Sequence, residues 1–159
     1  MATEIERKFL LADERWRDEV IGTATMRQGY LNQPERCSVR VRISGDSAAL
    51  NIKAAVMGAA RAEYEYAIPV ADAVEMLDTL AFEPLVEKTR HYVLRGPYTW
   101  EIDEFSGANA GLIVAEIELP AADAVFERPD WLGREVTDER RYYNSSLVKA
   151  PYSTWADRS

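Results

Sequence analysis

The side chains with chemistry to offer in this 159-residue chain come in alternating runs. Glu4, Glu6 and Lys8 open the series; Arg40 and Arg42, Lys53, Glu63 and Glu65, Lys88 and Arg90, Asp103, and Glu116 and Glu118 follow in order. Neighbouring side chains of an extended strand point to opposite faces, so each i, i+2 pair shares one face. On one strand alone, such charges describe a solvated sheet face. Repetition changes that reading, because a face selected only for solubility would mix signs along each strand rather than place like charges together.

The basic set, Arg40, Arg42, Lys53, Lys88 and Arg90, suits a polyanion such as a chain of phosphates, with arginine making forked contacts to phosphate oxygens. The acidic set offers oxygen without a cysteine or histidine cluster, which suits hard divalent ions, Mg²⁺ or Mn²⁺. Phosphate chain and carboxylate-held metal together make a phosphoryl-transfer site, where positioning and charge neutralisation do most of the work. The competing reading is structural: the acidic and basic strands could simply neutralise one another.

The elements that must position these residues follow from the same alternation. Strands are expected over 4–9, 25–31, 38–43, 48–54, 62–68, 86–94, 98–105 and 112–119, with Val, Ile, Leu and Tyr opposite the charges. Asp72 as N-cap and apolar residues at helical spacing predict a helix over 72–82, and a short helix over 121–128 is stopped by Pro129. Residues 12–20 are expected to cover a mouth, the stretch from 130 to be a loop, 143–149 a C-terminal helix and 151–159 a loose tail. Apolar faces outside and charged faces inside describe an α+β domain over 1–150, an eight-stranded antiparallel β-barrel with helices packed on the outside. Its interior must be wet, since a dry one could not hold so many charges.

Bulk properties narrow the partners. A net charge of −8, from 27 acidic and 19 basic residues, repels nucleic acid. No apolar run approaches the roughly 18 residues of a membrane span. The acidic start, Met1-Ala2-Thr3-Glu4, lacks the pattern of a secretory signal, and Cys37 is the single cysteine, so a cytoplasmic location is expected. His91 falls among apolar neighbours and is read as structural.

The Glu4-x-Glu6-x-Lys8 opening resembles the signature of the CYTH superfamily, the triphosphate tunnel metalloenzymes. The likeness runs from residue 3 to about 149, through Arg40-x-Arg42, Lys53, Glu63-x-Glu65, Lys88-x-Arg90, Asp103 and Glu116-x-Glu118. Trp131-Leu132-Gly133-x-Glu135-Val136-Thr137, followed by Tyr142 and Asn144, is similar to the family's C-terminal signature. The resemblance implies an eight-stranded antiparallel barrel open at both ends. It implies that Lys8, Arg40, Arg42, Lys53, Lys88 and Arg90 bind phosphate. Glu4, Glu6, Glu116 and Glu118 would bind metal, with Asp103 on a second ion and Glu63 and Glu65 assisting.

Lys88, Glu118 and Arg90 are the expected catalytic residues: Lys88 orients or deprotonates the attacking water, or else a metal-held water and Glu118 do so. Arg27-Gln28-Gly29-Tyr30-Leu31 resembles small inorganic tripolyphosphatases, so hydrolysis of a linear triphosphate is the expected activity. Thiamine triphosphatase, class IV-type adenylyl cyclase and a non-catalytic polyphosphate or nucleotide-binding module are the alternatives. A homodimer is compatible with the barrel, though no residue pattern specifies one.

Overall fold

Alternating apolar and charged residues produce long strands that close on themselves. The computed structural model describes residues 2–158. It comprises β1 (Ala2–Leu11), β2 (Val20–Tyr30), β3 (Cys37–Ser44), β4 (Ser47–Ala54), β5 (Ala60–Ile68), α1 (Val70–Thr79), β6 (Val86–Arg95), β7 (Tyr98–Ser106), β8 (Ile113–Glu118), β9 (Leu132–Glu135) and α2 (Asn144–Lys149). Eight strands pair antiparallel in the order β5-β4-β3-β2-β6-β7-β8-β1, and β5 pairs with β1 to close the barrel. Gly45 and Gly96 take positive φ, 56° and 57°, in the tight β3–β4 and β6–β7 turns.

β9 forms where the sequence pattern predicts a loop. Phe9 of β1 pairs with Ala115 on one edge and Glu135 of β9 on the other, so β9 takes the edge of β1 that β5 leaves. A Cβ at Gly133 would lie 2.8 Å from the Leu10 carbonyl oxygen, so this close approach demands glycine.

Two apolar clusters lie outside the barrel, as the alternation predicts. One gathers Phe9, Trp100, Ile102, Ile117 and Trp131 with Trp16. The other seats Ala73 and Leu77 of α1 on Val41 and Ala48. Trp16 therefore packs on the outer wall, 5.1 Å from the His91 ring, rather than over a mouth. His91 is structural there, with Nε2 3.1 Å from a Glu104 oxygen.

A third cluster departs from the expectation that the core lies wholly outside. Leu10, Val86, Phe105 and Val114 share strand parity with Lys8, Lys88, Asp103 and Glu116, so they face inward. They meet Val136, Tyr142, Leu147 and Trp155. The inner faces of β1, β6, β7 and β8 turn apolar toward one end, and the C-terminal segment fills that end, which the resemblance implied to be open.

Three further differences are local. α1 begins at Val70 after Pro69, leaving Asp72 within its first turn instead of capping it. No helix forms over 121–128: Ala124 and Phe126 pack onto the outer cluster while Val125 between them is 90% exposed, a period of two rather than 3.6. The tail is not loose, because Tyr152–Thr154 forms a 3-10 turn and Trp155 packs edge-on against Tyr142 and Tyr152, centroids 5.3 and 5.1 Å apart. Among the described residues, no helix is long and apolar enough to cross a membrane.

Candidate active site inside the barrel

The inward side chains enclose a polar cavity of about 190 Å³. Glu4, Glu6, Lys8, Arg40, Arg42, Lys53, Glu63, Glu65, Lys88, Arg90, Glu116 and Glu118 all line it. Asp103 does not. It is fully buried behind the lining, with one oxygen 2.7 Å from Lys88 Nζ and both oxygens accepting from the Arg90 guanidinium at 2.7 and 2.9 Å. With its lone pairs directed at those two cations, Asp103 is placed to orient them.

The lining also holds residues not singled out from sequence. Asn51, Arg61 and Glu101 lie two positions before Lys53, Glu63 and Asp103, so strand alternation contained the signal. Tyr143 and Ser145 reach the cavity from the C-terminal segment, where no period-two pattern announces them, on either side of Asn144, which the C-terminal signature does name. Lys8 Nζ donates to the Tyr142 carbonyl at 3.3 Å and lies 5.1 Å from the Tyr143 ring centre.

Acidic and basic strands meet across the cavity. Lys53 Nζ lies 2.6 Å from a Glu4 oxygen and 3.6 Å from Glu63, and Lys8 Nζ lies 3.3 Å from Glu116. Arg90 adds Glu101 at 2.9 Å. Arg40 and Arg61 each keep a buried Nε without a hydrogen-bond partner. Burial, and after it Arg40 and Arg90, lowers the proton affinity of Arg42. Excess positive charge therefore collects on β3 and at Arg61 of β5, where an anion would be welcome.

The carboxylates show the converse. Burial, followed by the charges of Glu116 and Glu4, pushes Glu6 from its ordinary value to about 8. Burial and then Glu4 and Glu63 raise Glu118. Glu6 stands opposite Glu118, and Lys8 opposite Glu116, in the β1–β8 ladder. Burial opposes the charge on Glu116, yet Lys8, Arg90 and Lys88 outweigh it and hold that carboxyl well below the usual range.

Among the described residues, no three acidic, histidine or cysteine side chains converge closely enough to grip an ion as they stand. Glu4 and Glu116 are turned toward Lys53 and Lys8. The donor set nevertheless fits a hard divalent cation: it is all oxygen, and its members raise one another's proton affinity.

Lys88 completes the site. Burial pushes its ammonium down to about 8, against the opposing charge of Asp103. Its Nζ donates to Asp103 and to Asn144 Oδ1, at 2.7 and 3.0 Å.

The CYTH domain family model matches residues 2–152. The chain belongs to the CYTH family. Among its CYTH relatives, the chain is 46% identical over 157 residues to the inorganic triphosphatase of Acetivibrio thermocellus, covering 99% of this chain and 100% of that protein. It is 38% identical over 150 residues to the inorganic triphosphatase of Nitrosomonas europaea, covering 92% of this chain and 97% of the other. The crystal structure of an inorganic triphosphatase superposes with a TM-score of 0.67 at 34% identity, over 91% of this chain and 97% of that one. A closed antiparallel barrel with charges inside is the CYTH arrangement seen here.

Proposed function

We propose that this chain is a metal-dependent triphosphatase that hydrolyses a linear triphosphate, with inorganic tripolyphosphate as its substrate. The observation that carries the reading is the division of one enclosed polar cavity between cations in excess on β3 and carboxylates in excess on β1 and β8. Near-full-length identity of 46% to an inorganic triphosphatase supports it.

Arg40, Arg42, Lys53, Lys8 and Arg90 bind the phosphates, with Arg61 added to that set. Glu4, Glu6, Glu116 and Glu118 would hold the divalent cation, Mg²⁺ or Mn²⁺, with Glu63 and Glu65 assisting from β5, and the cation would supply charge neutralisation at the phosphate oxygens. Asp103, expected on a second ion, is instead a positioning residue, because Lys88 and Arg90 occupy its oxygens.

Water attacks a terminal phosphorus, a new P–O bond forms and the phosphoanhydride P–O bond breaks. Phosphate and pyrophosphate leave. Lys88 lines the cavity with two N–H directions committed to Asp103 and Asn144, and as a neutral amine it accepts the water's proton at its remaining tetrahedral position. Arg90 stabilises charge building on the phosphoryl oxygens. The single cysteine accords with a cytoplasmic setting, and the net charge of −8 disfavours nucleic acid as a partner.

Phosphate release from tripolyphosphate, thiamine triphosphate, ATP and pyrophosphate with Mg²⁺ or Mn²⁺ tests the reading. The expected result is metal-dependent turnover of tripolyphosphate above the others. Cyclic AMP from ATP would reassign the chain to cyclisation, and tight binding without turnover would make it a binding module.

A further inference from the structure

Gln28 is an expensive residue with no role in the chemistry described so far. It sits on β2, is 0% exposed, and its Oε1 is buried with no hydrogen-bond partner. An unsatisfied buried carbonyl costs on the order of 1–3 kcal/mol. An apolar side chain of similar volume would avoid that cost, so stability alone gives no reason for glutamine here.

Its amide does one thing. Gln28 Nε2 donates at 2.9 Å to Asn144 Oδ1, the same oxygen that accepts from Lys88 Nζ at 3.0 Å. Asn144 is the first residue of α2, and its amide could present either oxygen or NH₂ toward Lys88. Only the oxygen can accept from the ammonium. The ammonium selects that orientation, and Gln28 Nε2, donating to the same oxygen, restrains where that oxygen sits.

We propose that Gln28 and Asn144 form a positioning relay for Lys88, with Gln28 locking the Asn144 amide so that its oxygen, together with Asp103, fixes the direction of the Lys88 amine. Two acceptors at 2.7 and 3.0 Å define two of the three free tetrahedral directions on Nζ. Tetrahedral geometry then sets the third. The relay ties the seating of α2 in the barrel end to the alignment of a catalytic group on β6. This inference rests on the assignment of Lys88 to the reacting water.

The test compares steady-state tripolyphosphate hydrolysis and thermal unfolding for the full chain and its Gln28→Leu, Asn144→Leu, double and Lys88→Ala variants. Gln28→Leu is expected to melt at or above the wild-type temperature while kcat falls at least fivefold and KM stays within twofold. Asn144→Leu lowers kcat at least tenfold with the same KM, and the double variant is no worse than Asn144→Leu, because Gln28 acts only through Asn144. Gln28→Met and Asn144→Ser repeat the comparison if either leucine variant does not fold.

Losses that multiply in the double variant, or that fall in KM alone, overturn the relay. So does a kcat within twofold of wild type in both single variants while Lys88→Ala is inactive; that outcome leaves the Lys88 assignment standing. A Lys88→Ala variant that retains wild-type kcat removes the assignment and the relay together.

Discussion

Lys88 and Asp103 form an ion pair 2.7 Å long whose two side chains are each 1% exposed. Arg90 shares the same carboxylate. Burial opposes the charge on Asp103, but Arg90 and then Lys88 overcome it and keep the carboxyl below its ordinary value. Replacing Asp103 with Ala would leave Lys88 without its 2.7 Å carboxylate partner and Arg90 with only Glu101 and the more distant Glu116, and breaking a buried pair by removing one partner costs about 3–5 kcal/mol. Urea denaturation of Asp103→Ala should show a loss of that order, with turnover falling because Lys88 and Arg90 lose their common anchor.

The pH dependence of turnover reports on Lys88. With its amine pushed down to about 8 by burial, the neutral fraction grows as pH rises through that value. Activity at saturating metal should therefore climb between pH 7 and 9 and then level. Lys88→Arg, whose guanidinium stays charged throughout, should lose most activity and keep no such limb. An unchanged limb in the arginine variant would transfer the base role to Glu118 and a metal-held water.

Glu6 makes stability depend on pH in the opposite sense to a salt-bridged carboxylate. Its folded value is raised to about 8 from 4.5, so across that window the folded chain holds more protons than the unfolded chain. Stability is lost as pH rises from about 4.5 to 8, and the raised carboxyls of Glu101 and Glu118 act in the same direction. In chelator, the melting temperature should fall over this range. Mg²⁺ or Mn²⁺ should restore it at pH 8, and Glu6→Gln should flatten the slope.

Glu118 lines the cavity opposite Glu6 and is exposed where Glu116 is buried. Removing its charge with Glu118→Gln should raise the metal concentration for half-maximal activity at least tenfold. Titration of Mg²⁺ or Mn²⁺ at fixed tripolyphosphate would measure this.

Trp155 closes the apolar end of the barrel, 9% exposed and with the Arg141 guanidinium 3.8 Å from its ring centre. Its indole Nε1 donates to the Ala150 carbonyl at 2.9 Å. Trp155→Ala should cost about 3–5 kcal/mol by the usual penalty for an emptied aromatic site. A change below 1 kcal/mol in denaturant unfolding would return residues 151–158 to the status of a loose tail, Ser159 lying outside the described residues.

Strand alternation carried most of the architecture. In β1, β3, β6 and β8 it separated inner from outer faces, because side chains two apart must share a face. The same alternation, followed one step further, held Arg61 and Glu101 as well. It failed where order came from contact rather than period: β9 is four residues held by the free edge of β1, and Ala124 and Phe126 are drawn into the outer core without helical spacing.

The sequence by itself determined the charged staves, the family resemblance and all but one of the expected lining residues. Tertiary structure decided which charges meet: it turned Asp103 from the cavity to the backs of Lys88 and Arg90, and it brought Asn144 from 56 positions away to Lys88. It also decided that one end of the barrel is filled. The physical reason is that a strand's pattern assigns a face, whereas depth along the barrel, and the partner reached there, depend on register and on where the C-terminal segment comes to rest.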